Sequence, residues 1–241
     1  MTNASTQVYH QSVTRTAVSI PDETALLCEG CGYTLSGLAS DSACPECGKP
    51  IPESSPEIRQ TSAWERRYQW FATTAAVLFH PTRFFRTLAT RADVAPALRF
   101  ALSHWLIASA MLLVTANVHS NIVGIRWQIP PWAVLAMPLL MWVLTLFAAR
   151  LTHWEASYRG LRMPLSVVQR AMYFHAAHYV PVAAAALLTV LIYRWMFLRQ
   201  WVAPTSIVAY LYVLCAEVLL GAGYLFKTYW IGMRNIMYAN R

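Results

Sequence analysis

Beyond residue 96 the chain alternates between long apolar blocks, at about 97–118, 132–151, 171–193 and 205–226, and short polar breaks. An α-helix rises 1.5 Å per residue, so about 20 apolar residues cover the ~30 Å hydrocarbon core of a bilayer, and each block predicts a spanning helix. Pro138 and Pro181 fall inside two of the blocks, which a bundle tolerates where neighbouring groups satisfy the freed carbonyls. Ahead of the blocks, Trp64, Tyr68, Phe71, Ala75, Leu78 and Phe79 recur mostly at spacings of three and four, while Arg66, Arg67 and Gln69 fall elsewhere. That is one apolar stripe on a helix. Its uncharged run from Tyr68 to Phe79 is too short to cross. The pattern therefore predicts an interfacial amphipathic helix over 64–91, in the headgroup plane or packed on the bundle's cytosolic face, with a kink or stop at His80-Pro81.

Upstream the pattern changes. Residues 1–22 are polar and Ser/Thr-rich and lack an apolar run after a basic start, which argues against a cleavable secretory signal and predicts a flexible tail. Residues 54–63 read as a Pro/Ser-rich linker between a cysteine-bearing segment, 23–53, and the apolar part.

Composition agrees with a membrane-embedded chain: of 241 residues 57% are hydrophobic and 12% charged, where a soluble domain carries roughly a quarter charged. The charge is divided. Residues 1–57 hold two basic and seven acidic side chains, a net of −5, and the remainder holds 17 against 4, a net of +13. Lys and Arg are also uneven about the blocks: seven in 59–99, four in 150–170 and three in 227–241, against one in 119–131 and two in 194–204. By the positive-inside rule this bias places both termini and the middle loop in the cytosol. Trp127, Trp132, Trp195 and Trp201 then mark the outer interface and Trp64, Trp70, Trp154 and Trp230 the inner one. Arg66, Arg67, Arg83 and Arg86 are the basic residues expected at the lipid interface.

Four of the five cysteines form two C-x-x-C-G knuckles, Cys28/Cys31 and Cys44/Cys47, separated by twelve residues. Two residues between cysteines let both thiolates of one tight turn face a single ion, and the glycine that follows permits the sharp backbone. Two such turns complete a tetrahedral site of four thiolates, so the pattern predicts one structural Zn2+ with no open position for catalysis. Two disulfides or a redox C-x-x-C pair are the alternatives; the first needs an oxidising compartment, and neither motif opens a helix after a strand. With Tyr33, Leu35, Leu38 and Ile51 as its main apolar groups, such a head should unfold without metal. The expected fold class is mainly α: a four-span transmembrane helix bundle over 92–241, with an N-terminal β-rich zinc ribbon and the interfacial amphipathic helix.

Zinc ribbons that bind nucleic acid need Lys and Arg to displace counterions from phosphate, and this acidic head lacks them. A protein partner is the better fit, and self-association stays open. Glu217 is the one acidic residue inside an apolar block, and His104, His175 and His178 are the other titratable groups away from the basic ends. Counted from the cytosolic ends they fall in one layer, within about 6–14 Å of the inner interface. They could form a proton relay or a metal site, or they could be interhelical hydrogen bonds that fix the bundle. No phosphate loop, G-x-S-x-G elbow or paired catalytic carboxylates are present, and Cys215 reads as an apolar filler, so no enzyme is expected.

The text CGYTLSGL followed by CPECGKPI, over about 28–52, resembles the small zinc-ribbon heads that precede membrane domains in bacterial proteins. After residue 63, His80-Pro81-Thr82-Arg83-Phe84-Phe85-Arg86, then Ala95-Pro96-Ala97-Leu98-Arg99-Phe100, then Arg159-Gly160 and Arg170-Ala171-Met172-Tyr173, resemble landmarks of the bacterial members of the Yip family of multi-span membrane proteins. That resemblance implies a non-enzymatic role in membrane organisation or trafficking, in the bacterial inner membrane. The expected function is thus a membrane scaffold whose cytosolic ribbon docks protein partners. The alternative is a small transporter or proton-coupled carrier working through the His/Glu layer.

Overall fold

The computed structural model describes residues 22, 25–90, 92–125 and 128–240, with Pro204 described by its backbone alone. Among the described residues 69% are helical and no strand forms, so the fold is mainly α. Four helical stretches are long and apolar enough to cross a membrane, as in a multi-pass membrane protein: Ala95–Ile122, Ala133–Tyr158, Leu165–Leu198 and Ile207–Ile236. In chain order the α-helices are α1 (Ala63–Arg67), α2 (Trp70–Phe79), α3 (Pro81–Arg86), α4 (Ala95–Ile122), α5 (Ala133–Tyr158), α6 (Leu165–His175), α7 (Tyr179–Leu198) and α8 (Ile207–Ile236). A single 3-10 turn, Ala176–His178, joins α6 to α7. Pro181 accounts for it locally, because it has no N–H to return to the carbonyl of Ala177.

The helix expected over 64–91 is three short ones: the stop expected at His80-Pro81 is present, and the further break at Tyr68 is a correction. Helix α1 opens with a capping box, Ser62 with Glu65, and closes at Tyr68, which takes a left-handed conformation (φ 53°) while its N–H returns to Trp64. Helix α2 ends at His80, since Pro81 disfavours helix in the residue before it and then serves as first residue of α3. One side of α2, Thr73 and Val77, is buried, whereas Phe71 and Phe79 are 81% and 74% exposed.

Successive long helices alternate in direction. The ends near Tyr158–Leu165 and Ile236 meet the cysteine-bearing head, the end near Ala95 meets Trp64 of α1, and the 123–132 and 199–206 connections lie at the far end. The shared core sits in the head-side half, where Phe85, Phe100, Ala101, Trp105, Val168, Ala171, Phe174 and Ile236 are buried together. Away from it the bundle turns large apolar side chains outward: Leu135, Leu139 and Phe147 on α5, and Val218, Leu219 and Leu220 on α8, are half to three-quarters exposed. A soluble protein does not present such a surface; hydrocarbon covers it at no cost.

The head differs from the β-rich expectation. Each knuckle contributes one isolated antiparallel bridge, Leu27 with Thr34 and Ala43 with Pro50. Two backbone bonds repeat between them with an offset of sixteen residues: Cys28 N–H to Tyr33 O matches Cys44 N–H to Lys49 O, and Leu35 N–H to Leu26 O matches Ile51 N–H to Ser42 O. Each arm is consumed by its turn, where Gly32 (φ 84°) and Gly48 (φ 70°) follow the second cysteine, so no ladder extends. The expected linker is likewise ordered. A 3-10 turn at Ile51–Ser54 leads into it, it holds another at Pro56–Ile58, and Gln60 pairs with Leu88 in a parallel bridge. The tail expected over 1–22 lies outside the described residues except Asp22, whose carbonyl accepts from Arg162 at 2.8 Å.

Candidate metal centre and its attachment to the helices

The two knuckles bring the Sγ atoms of Cys28, Cys31, Cys44 and Cys47 within 4.8 Å of one another. Cys28 and Cys44 are buried, Cys31 half-buried and Cys47 exposed. Sulfur–sulfur separations of 3.5 Å (Cys28 to Cys47) and 3.6 Å (Cys31 to Cys44) are far from the ~2.05 Å of a disulfide, and the cysteines are free. Thiolates at ~2.3 Å from one tetrahedral ion stand about 3.8 Å apart, so the spacing fits a metal of that size. Burial pushes the Cys28 thiol up, but the Gly30 and Cys31 amides and the Cys47 and Cys44 sulfurs hold its thiolate, and the balance is about 7. Cys31 is pushed up, chiefly by burial. The Lys49 amide pulls Cys47 down, yet its contact with Cys28 and a partial loss of solvation leave it raised.

The head is fastened to the bundle through groups that spacing alone did not single out. Asn240 accepts from Leu27 N–H at 2.9 Å and from Arg162 at 2.7 Å, and donates to the carbonyls of Leu27 (2.7 Å) and Ser54 (2.6 Å). Arg162, in the α5–α6 connection, also donates to the carbonyls of Asp22 and Ala25. Glu29, inside the first knuckle, pairs with Arg59 at 2.7 Å, both side chains no more than 3% exposed. Arg59 continues to the carbonyls of Leu88 and Asn235. Tyr238 closes over Gly32, where a Cβ would come within 2.5 Å of the ring. A second buried pair ties α6 to α1: Arg170 grips both carboxylate oxygens of Glu65 at 2.7 Å and also reaches the Ala89 carbonyl. The Ser62-x-x-Glu65 spacing is a capping-box signal that could have marked Glu65. Arg162 carried no signal beyond its charge, and Arg170 only its charge and its place in the Arg170-Ala171-Met172-Tyr173 landmark.

The intramembrane candidates do not form one layer of mutual contacts. His175 and His178 are brought together, ring centroids 5.1 Å apart, and both bond to α8: His175 with Thr228 Oγ1 (2.9 Å) and Leu225 O, His178 with Tyr224 OH (2.7 Å). His104 bonds elsewhere, to Phe100 O (2.8 Å) and Thr74 Oγ1 (2.9 Å), beneath the Trp70 ring stacked at 4.5 Å. Glu217 accepts from Thr189 on α7. Among the described residues the four cysteines are the one set of three or more His, Cys, Asp or Glu groups that converge, so His104, His175, His178 and Glu217 share no metal site.

Of the basic candidates, Arg86 pairs with Glu53, Arg66 donates to Gln60, and Arg67 and Arg83 make no ion pair among the described residues. Trp195 and Trp201 meet edge to face at the far end, 4.6 Å apart, while Trp127 lies outside the described residues. No protein-family model, curated protein or solved structure matches the chain.

Proposed function

We propose that this is a non-enzymatic, multi-pass protein of the bacterial inner membrane, with both termini cytosolic and one structural Zn2+ held by Cys28, Cys31, Cys44 and Cys47. The observation that carries the reading is the converged four-sulfur set on a head bolted to the bundle. Four protein ligands fill a tetrahedral ion's coordination, so the ion would supply folding energy to a head with few apolar groups and no catalysis. Leu38 and Glu46 on the head are exposed, which suits a protein-docking edge; the head's acidity disfavours nucleic acid. The Arg distribution supports the topology, and the Yip-like motifs support a role in membrane organisation. A photo-crosslinker at Leu38 in cells should capture a defined protein, and Cys44→Ser should abolish the adduct. A crosslinker at Leu38 that yields no adduct, or one indifferent to Cys44→Ser, contradicts docking through a metal-held head.

One observation favours a carrier as second reading. On the α7–α8 seam, Glu217 Oε2 and His178 Nε2 are buried and have no hydrogen-bond partner among the described residues. If they relay protons, Glu217→Gln abolishes pH-driven flux in liposomes while the protein stays folded. If they only fix the seam, the variant behaves as wild type.

A further inference from the structure

Two clefts open where the head meets the helix ends. One, of about 710 Å³, is lined by Glu53, Phe79, His80, Arg83 and Arg86. The other, of about 490 Å³, is lined by Lys49, Glu53, Arg86, Trp230 and Arg234. They share the Arg86–Glu53 pair as a common wall. Glu29 also borders the second cleft; its Oε1 pairs with Arg59, and its buried Oε2 has no hydrogen-bond partner among the described residues. Arg83 on one side, and Lys49 with Arg234 on the other, are therefore left without an ion pair among the described residues.

Each unpaired arginine follows an exposed aromatic residue by four positions. Arg83 follows Phe79, 74% exposed, across the α2–α3 break, and Arg234 follows Trp230, 51% exposed, one turn along α8. One helical turn is about 5.4 Å, so on α8 the indole lies one step toward the spans and the guanidinium one step toward the head. Aromatic ring at the acyl boundary, cation at headgroup depth, is the arrangement that suits an amphiphile with an anionic head. A soluble phosphate would have no use for the exposed rings.

We propose that these clefts hold the phosphate of an anionic phospholipid from the head-side leaflet, with its acyl chains against Phe79 and Trp230. The proposal rests on the membrane placement given above, and it deepens that reading by naming a lipid class and a site.

The test uses the full chain, delipidated in neutral detergent, with zinc content measured on every sample so that failure of the metal reading is seen separately. Native mass spectrometry then follows titration with phosphatidylglycerol or phosphatidylcholine of the same acyl chains. Phosphatidylglycerol should bind about tenfold or more tightly than phosphatidylcholine. A triple Lys49→Gln, Arg83→Gln, Arg234→Gln variant should lose that preference, and Lys49→Arg with Arg83→Lys and Arg234→Lys should keep it. Equal binding of the two lipids, or an unchanged preference in the glutamine variant, overturns the proposal. So does displacement by excess glycerol 3-phosphate, which would assign the clefts to a soluble phosphate.

Discussion

Asn240 holds the backbone of Leu27 at both polar groups, its Oδ1 accepting the N–H at 2.9 Å and its Nδ2 donating to the carbonyl at 2.7 Å. Leu27 immediately precedes the first metal-ligand candidate, and Asn240 follows the last turn of α8, so the end of a candidate span and the start of the cysteine head move as one piece. This contact makes the head part of the bundle's head-side face and not a tethered appendage.

Asn240→Ala removes bonds to Leu27, Ser54 and Arg162 in a buried setting and should cost about 2–4 kcal/mol. Hydrogen exchange should show the Leu27 amide opening faster, with metal content unchanged. Protection equal to wild type would mean the clasp does not bear on the head.

Arg170 and Glu65 form a bidentate pair with side chains 2% and 5% exposed. Removing one partner strands a buried charge, so Arg170→Met or Glu65→Gln alone should cost about 3–5 kcal/mol, and the double variant should recover part of it. A double-mutant cycle on unfolding in detergent reads this. Simple additivity would contradict a direct coupling of α6 to α1.

These two contacts show where sequence reading stops. The four long helices were legible because length and apolarity alone decide whether a segment can cross a bilayer, and the four cysteines because two C-x-x-C-G turns have few other uses. Tyr68 was not: nothing in Trp64-Glu65-Arg66-Arg67-Tyr68 announces the left-handed residue that closes α1 with its N–H returned to Trp64. Arg162 and Arg170 count in the sequence as topology charges, and a sum of positive residues cannot tell a solvated arginine from one that is buried against a carboxylate or a carbonyl. The equal-depth placement of His104, His175, His178 and Glu217 gave height along the bundle but not azimuth, and azimuth separates His104 beside α2 from His175 and His178 beside α8.

Metal uptake should depend on pH in a way set by the cysteines. Without metal, the depressed Cys28 stabilises the head fully above its ordinary value of 9.0 and loses that contribution as pH falls through about 7. The raised Cys31 and Cys47 act oppositely, contributing below 9.0 and losing it as pH rises beyond. Zinc binds thiolates, so its uptake should release protons and its affinity should fall toward acid. Calorimetry in buffers of different ionisation heat measures both; an affinity no weaker at pH 6 than at pH 8 would contradict it.

Topology can be read with single cysteines in a Cys215→Ser background. An impermeant thiol reagent added outside sealed cells should label replacements of Asn121 and Gln200 in the far-end connections and should spare a replacement of the exposed Tyr158 beside the head. Labelling at Tyr158 instead would invert the bundle.

The most direct measurement is the metal content of the full chain purified in detergent under reducing conditions, with its thiols counted. The account predicts about one zinc per chain, lost together with the fold of the head when Cys28, Cys31, Cys44 or Cys47 is replaced by serine and unaffected by Cys215→Ser. A folded chain with no metal and two Cys–Cys bridges would contradict it.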